Sequence, residues 1–247
     1  MKIPKVIHQT WYTSKPHAQL ASRIEANKKQ NPGWGFKLWS DRDIIVWLKK
    51  NKLWEELDMF RSLYVGPAKA DLFRMLLLYR EGGFYMDVDN YLTEPIDEFL
   101  NPAAECMVAM NWRKEIDFSI CAAVPGNIYI ENTLTSITRR LRAREDGPAY
   151  TVTGPPNWRN TNYNNKENHP HREYRIQIIG PKSHENKGWG DYPQDYEKTP
   201  STDHWLQPIR FHFVKNHMHL KTLPNKVSMD KHRWQSARDD KRSLYNT

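Results

Sequence analysis

The stretch from Ala70 to Asp89, ADLFRMLLLYREGGFYMDVD, leaves little freedom to the fold around it. It holds good helix formers with no Gly or Pro as far as Glu81. Pro67, just upstream, suits an opening helical turn, where its missing N–H would have had no partner. Gly82 and Gly83 end the helix. Leu72, Met75, Leu76 and Tyr79 recur at helical spacing and are expected to face a core, while Asp71 and Arg74, three apart, share a neighbouring face. Phe84, Tyr85, Met86 and Val88 then have strand character. Side chains two apart on an extended backbone point the same way, so the sequence predicts that Asp87 and Asp89 converge.

Two adjacent carboxylates repel unless a cation or a shared proton lies between them, and hard oxygen ligands favour Mg²⁺, Mn²⁺ or Ca²⁺. An ion held by few protein ligands keeps open positions, and those suit a diphosphate. An EF-hand fails the count. With Asp87 as first ligand Glu98 falls twelfth, as required, but Tyr91 and Leu92 occupy the fifth and sixth positions, where a ligand and a Gly are needed. The plain alternatives are a D-x-D in a solvated turn and an exposed Asp71–Arg74 helix pair worth about 0.3–0.5 kcal/mol.

The segment resembles the DXD sugar transferases of glycosyltransferase family 32, which include Golgi mannosyltransferases and bacterial capsule enzymes, and is more remotely similar to the glucosyltransferase domains of large clostridial toxins. Two further elements carry the resemblance: the opening strand IPKVIHQTW, from Ile3 to Trp11, and the closing His232-Arg-Trp234-Gln-Ser236. The resemblance implies a metal-dependent transfer of a hexose from a nucleoside-diphosphate sugar, with retention of anomeric configuration, on a GT-A-like domain. Trp11 would stack on the nucleobase with Gln9 giving polar contacts, Asp71 would hold sugar hydroxyls or ribose, and Arg74 would neutralise the donor near its phosphate. Asp87 and Asp89 would bind Mn²⁺ or Mg²⁺ together with the donor, His232 would add a metal or phosphate ligand, and Ser236 would meet the diphosphate. Thr153-Gly154-Pro155 matches a loop that turns into a helix near the donor sugar. Ala237-Arg238 departs from the pattern, standing where a second Trp belongs, and no role falls on Ile120, near which the family often has Asn.

The rest of the chain bounds the reading. Strand signals at Lys5 to Thr10 and Phe36 to Trp39 alternate with helical stretches at His17 to Lys29 and around Ile44, Ile45, Trp47 and Leu48, the latter capped by Ser40 or Asp41. Further strands are expected at Cys106 to Met110 and Phe118 to Val124, then a helix from Ile128 to Arg142. This alternation predicts an α/β domain, a Rossmann-like, mostly parallel sheet flanked by helices, with ligands beyond the carboxyl ends of the strands. We expect a single domain over 1–247, with a nucleotide-sugar half at 1–125 and an acceptor half at 126–247. Asn157 to Arg175 and Lys182 to His204 read as loops around one strand, Arg175 to Ile179, with Trp158, Tyr163 and Trp189 offering faces for an acceptor sugar.

The 247 residues carry 37 Lys and Arg against 29 Asp and Glu, a net charge of +8. The stretch after His204 holds nine basic residues against three Asp, so it could meet an anionic membrane surface or acceptor; the alternative is a solvated face. No apolar run approaches the roughly 20 residues of a membrane span, and Met1-Lys2-Ile3-Pro4 runs into a strand without a signal-peptide core. Cys106 and Cys121 lie in apolar segments outside any C-x-x-C. The expectation is a cytoplasmic protein without a transmembrane segment, with peripheral membrane contact through the tail as an option. Nucleic acid is disfavoured, because no zinc-ligand set, P-loop or RNP-like strand accompanies the charge. The rival classes are a sugar- or nucleotide-binding module without chemistry and a basic nucleic-acid-associated protein.

Overall fold

The computed structural model describes residues 2–90, 92, 94–110, 116–163, 176–181, 204–209 and 244–245. In chain order its elements are β1 (Val6–Thr10), α1 (Ala18–Gln30), β2 (Gly35–Trp39), α2 (Asp41–Lys50), α3 (Trp54–Ser62), α4 (Gly66–Arg80), β3 (Gly83–Met86) and α5 (Ile96–Phe99). They continue with β4 (Cys106–Met110), β5 (Ile116–Ala123), α6 (Ile128–Arg142), α7 (Ala149–Val152), α8 (Pro156–Trp158), a π turn over Arg159–Tyr163, β6 (Ile176–Pro181) and β7 (His204–Ile209).

The strands form a seven-stranded sheet in the order β2-β1-β3-β5-β4-β6-β7. Strand β5 runs antiparallel to both neighbours, and the remaining pairs are parallel, as the alternation of strands and helices predicted. Alternate side chains feed two cores. Tyr85, Cys106, Val108 and Cys121 meet α2, α3, α4 and α6 on one face, while Phe84, Met86, Met107 and Ala122 pack with Ile96 and Phe99 of α5 on the other. Helix α1 covers the second face nearer β2, through Leu20 and Ile24 against Val88, Phe36 and Leu38.

Helix α4 is buried on nearly all sides from Ala70 to Leu78. A helix apolar all round is a central helix rather than a surface one. Its end explains the glycine pair. Gly82 and Gly83 have φ of 68° and 106°, and added Cβ atoms would lie 2.7 Å from the Ala123 carbonyl oxygen and 2.8 Å from His8 Nε2. Only residues without a Cβ let the chain turn there against β1 and β5. Ser40 caps α2, with reciprocal bonds between Ser40 and Asp43.

Helix α3, on which no expectation fell, is buried against the helical face through Leu57 and Phe60. Two expectations need correction. The start of the Asn157–Arg175 stretch, expected to be loop, is α8 and the π turn, and β7 begins at His204, where the second expected loop ends. Trp158 does not offer a sugar-stacking face: it is 2% exposed, stacked on Tyr129 and edge-on to Phe118. Its size and apolarity place it in the core between α6 and the sheet. The side chain of Tyr163 and all of Trp189 lie outside the described residues, as does any test of the basic tail.

Candidate donor-binding and metal site

The carboxyl ends of β1 and β3 lie side by side, because Ile7 pairs with Phe84 and His8 with Tyr85. Strand β3 stops at Met86, and Asp87 to Asn90 form a turn closed by the Asn90 N–H on the Asp87 carbonyl at 3.0 Å. This corrects the extended geometry expected for the D-x-D. The turn keeps Asp89 exposed while Asp87 points inward, its side chain 28% exposed.

Arg74 is the hub. It comes from the third turn of α4, and its side chain is 5% exposed. The guanidinium lies 3.1 Å from Asp71 Oδ1 and 3.3 Å from Asp87 Oδ1, donates to the carbonyls of Ala70 and Phe118, and sits over the Tyr85 ring at 4.5 Å. The exposed helix pair considered from sequence is therefore a buried bridge between two acids. Neighbouring Asp87, Tyr85 and Asp71 outweigh burial and push the Arg74 pKa up, so the cation is secured.

The acids respond in the opposite way. Burial raises the Asp71 pKa against the pull of Arg74 and of the Thr153 hydroxyl, which donates to Asp71 Oδ2 at 3.0 Å. Burial likewise pushes Asp87 up to about 7, with Asp89, Asp117 and Asp71 adding repulsion that Arg74 offsets only in part. A site holding this much negative charge around one cation favours a second cation.

Several groups fix Asp87. Its N–H donates to the Ser119 carbonyl at 2.7 Å, Gln9 Nε2 donates to its carbonyl at 3.1 Å, and the Tyr85 hydroxyl donates to Oδ1 at 3.1 Å. The Ser119 carbonyl continues the β3–β5 register one step past Met86↔Ile120, and the Phe118 carbonyl is available because β5 bulges against β4. That pairing jumps from Val108↔Cys121 to Ala109↔Asp117, releasing Phe118, Ser119 and Ile120 from β4. Ile120 itself is buried among the second-face core residues. On the other side α1 and the residue that caps its end present Arg23, Asn27 and Asn31, four apart along one stripe. Arg23 donates to the Asp89 carbonyl, Asn27 joins the Asn90 carbonyl and the Leu92 N–H, and Asn31 accepts from the Ile96 N–H at 2.7 Å.

Of the residues expected from sequence, Gln9, Asp71, Arg74 and Asp87 converge, with Asp89 at the solvent edge. Trp11 lies just past β1, half-buried beside Tyr12 at 5.0 Å and His17 at 6.0 Å between ring centres. Thr153 ends α7 and Pro155 precedes α8, so the T-G-P element does turn into a helix, and it reaches Asp71. His232 and Ser236 lie outside the described residues. Sequence reasoning missed Thr10, Tyr85, Arg23, Asn27 and the bulge carbonyls. Tyr85, two residues before Asp87, was the one with a visible clue.

The donor set fits a hard divalent ion. Asp87 and Asp89 supply oxygen, and among the described residues no group of three or more His, Cys, Asp or Glu gathers to enclose a metal. Two protein carboxylates would leave coordination positions for phosphate oxygens and water, the usual way Mg²⁺ is held. Among the described residues Gln9 Oε1 is buried without a hydrogen-bond partner, an acceptor left open next to the same turn.

Over residues 17–106 the chain matches the family described as "Glycosyltransferase sugar-binding region containing DXD motif". It is 34% identical over 105 residues to inositol phosphoceramide mannosyltransferase 1 of Schizosaccharomyces pombe, covering 41% of this chain and 33% of that protein. It is 31% identical over 102 residues to the mannosyl phosphorylinositol ceramide synthase CSH1 of Saccharomyces cerevisiae, covering 41% and 27%. The matched stretch thus spans about a third or less of the length of these relatives. Among solved structures, the PaToxG glycosyltransferase superposes with a TM-score of 0.56 at 16% identity, over 67% of this chain and 71% of that one, which identifies the fold as GT-A. The matched region contains the Asp71–Arg74 helix and the turn from Asp87 to Asp89, and it is similar to DXD-containing sugar-binding regions of glycosyltransferases.

Proposed function

We propose that the protein transfers a hexose from a nucleoside-diphosphate sugar to a hydroxyl of a glycan or lipid-linked acceptor, with retention, using Mn²⁺ or Mg²⁺ held by Asp87 and Asp89. One observation carries the reading: a buried arginine shared by two acids at the carboxyl end of β3, with an exposed third acid beside it, inside the segment that matches DXD sugar-binding regions. A divalent ion bound there would supply Lewis-acid stabilisation of the departing diphosphate.

The chain's own residues do the preparatory work. Arg74 holds Asp71 and Asp87 in place and favours their charged forms against burial, so the site is organised before substrate arrives. It is buried against both acids, so its support for the donor acts through them. Asp71, tied to Thr153 by one oxygen, presents a carboxylate suited to sugar or ribose hydroxyls. Trp11 offers a partly exposed ring to a base, and Gln9 Oε1 an acceptor for a base N–H. The relatives are named for mannose transfer and inositol phosphoceramide, which makes a mannosyl donor and a phosphorylinositol lipid the first substrates to try.

The test is donor hydrolysis and transfer across UDP- and GDP-sugars with Mn²⁺ and with EDTA. Turnover should require the ion, and undiminished turnover in EDTA would overturn the metal role. Asp89 is exposed and holds no structural bond through its side chain among the described residues. Asp89→Asn should therefore lower turnover by about a hundredfold or more at unchanged melting temperature. Product anomeric configuration, read by NMR, tests retention.

A further inference from the structure

Thr10, the last residue of β1, stands next to Gln9 and is 7% exposed. Its hydroxyl lies 2.8 Å from the Tyr85 hydroxyl, which in turn lies 3.1 Å from Asp87 Oδ1. The proton inventory fixes the direction of this chain. A phenol has one hydrogen and an ionised carboxylate has none, so in the ionised, metal-binding state Tyr85 donates to Asp87. Its oxygen must then accept from Thr10. Tyr85 keeps its proton, because burial foremost, together with Asp87, moves its pKa well above that of an exposed phenol. Gln9 and Thr10 point to opposite faces of the sheet, as successive strand residues must. One therefore holds the Asp87 main chain and the other, through Tyr85, holds its carboxylate.

We propose that Thr10 is a positioning residue for Asp87, acting through the Tyr85 hydroxyl. This rests on the metal-dependent reading of the site. The hydroxyl of Thr10 orients the phenol, and the phenol and Arg74 together engage Oδ1. Oδ2 takes part in neither of these contacts and would be the oxygen offered to a cation. Without the Thr10 donor, the Tyr85 oxygen becomes a buried acceptor with no hydrogen to receive, and the phenol is free to rotate away from Asp87. A hydroxyl at position 10 is what matters, so Ser should serve and Val should not, although Val matches Thr in shape.

The experiment compares Thr10→Val, Thr10→Ser, Tyr85→Phe and the Thr10→Val/Tyr85→Phe double variant. Mn²⁺ affinity is measured by electron paramagnetic resonance without donor, and the Asp87 carboxyl ¹³C resonance is measured without metal at one fixed pH. Thr10→Val and Tyr85→Phe should each weaken Mn²⁺ about five- to tenfold, the worth of one ordinary hydrogen bond. The double variant should be no weaker than Tyr85→Phe alone, because both act on one chain. Thr10→Ser should bind as the parent does. The loss should fall on the Mn²⁺ requirement and kcat, with the donor KM less affected. An unmoved Asp87 resonance in Thr10→Val, equal losses in Thr10→Ser and Thr10→Val, or additive losses in the double variant would each overturn the proposal. If the parent bound no Mn²⁺, the metal reading would fail, while the ¹³C comparison would still decide the hydrogen-bond chain.

Discussion

At the scale of single residues the site is an electrostatic balance centred on Arg74. Removing it leaves Asp71 and Asp87 facing each other without the cation, and breaking one partner of a buried pair costs about 3–5 kcal/mol. Arg74→Met should lose stability on that scale in urea denaturation, and a change below about 1 kcal/mol would show that the bridge is not structural. His8 supplies a pH dependence. It is 3% exposed and accepts from Trp39 Nε1 at 3.2 Å, and burial foremost holds its pKa down at about 4 against an ordinary 6.5. The folded state therefore resists protonation that the unfolded chain accepts. The contribution is intact above pH 6.5 and is lost as pH falls from there toward 4, amounting to about 2 kcal/mol by pH 5. His8→Gln should flatten that part of the stability-versus-pH curve relative to the parent, and identical slopes would refute the assignment.

At the scale of elements the D-x-D turn is held by its neighbours rather than by its own sequence. Strand β5 contributes carbonyls from its bulge, α1 and the residue that caps its end contribute the Arg23–Asn27–Asn31 stripe, and β1 contributes Gln9 and Thr10. Asn27, 1% exposed and bonded at both ends of its amide, is the most demanding of these. Asn27→Ala should cost about 1–3 kcal/mol, and should raise the apparent Mn²⁺ requirement because the turn after Asp89 loses its anchor. Full Mn²⁺ affinity in that variant would count against this coupling. The helix–glycine–acid order was legible in sequence because helix propensity, glycine punctuation and carboxylate chemistry are local properties. The turn was not, since D-V-D is compatible with either strand or turn, and the choice was made by where β5 releases its carbonyls.

At the scale of the whole molecule, chain segments far apart in sequence close one core. Leu244 and Tyr245 are buried against the helical face. The Leu244 N–H donates to Asp146, its carbonyl accepts from Tyr64, and Tyr245 bridges Leu63. Leu244→Ala should cost about 2–5 kcal/mol, as large-to-small changes in cores do, and a near-neutral effect in thermal denaturation would show the contact to be dispensable. Among the described residues, no helix is long and apolar enough to cross a membrane. The two cysteines are free and buried, and burial pushes the Cys121 thiol up to about 12. Both are thus poor nucleophiles at neutral pH and belong to the core, as their apolar surroundings in sequence indicated.

The amino-acid order by itself determined the alternation of strands and helices, the end of α4 at Gly82, and the placing of Asp71, Arg74, Asp87 and Asp89 within one short stretch. Each follows from interactions between residues a few positions apart. Only the tertiary structure decided that the Asp71–Arg74 pair is buried, that Trp158 is core, and that Thr10, Tyr85, Thr153 and the Phe118 and Ser119 carbonyls surround the acids. The reason is physical: burial and the direction of a main-chain carbonyl depend on what packs from elsewhere in the chain. A carbonyl is common to every residue, so no pattern of side chains announces which ones a bulge will turn toward a site.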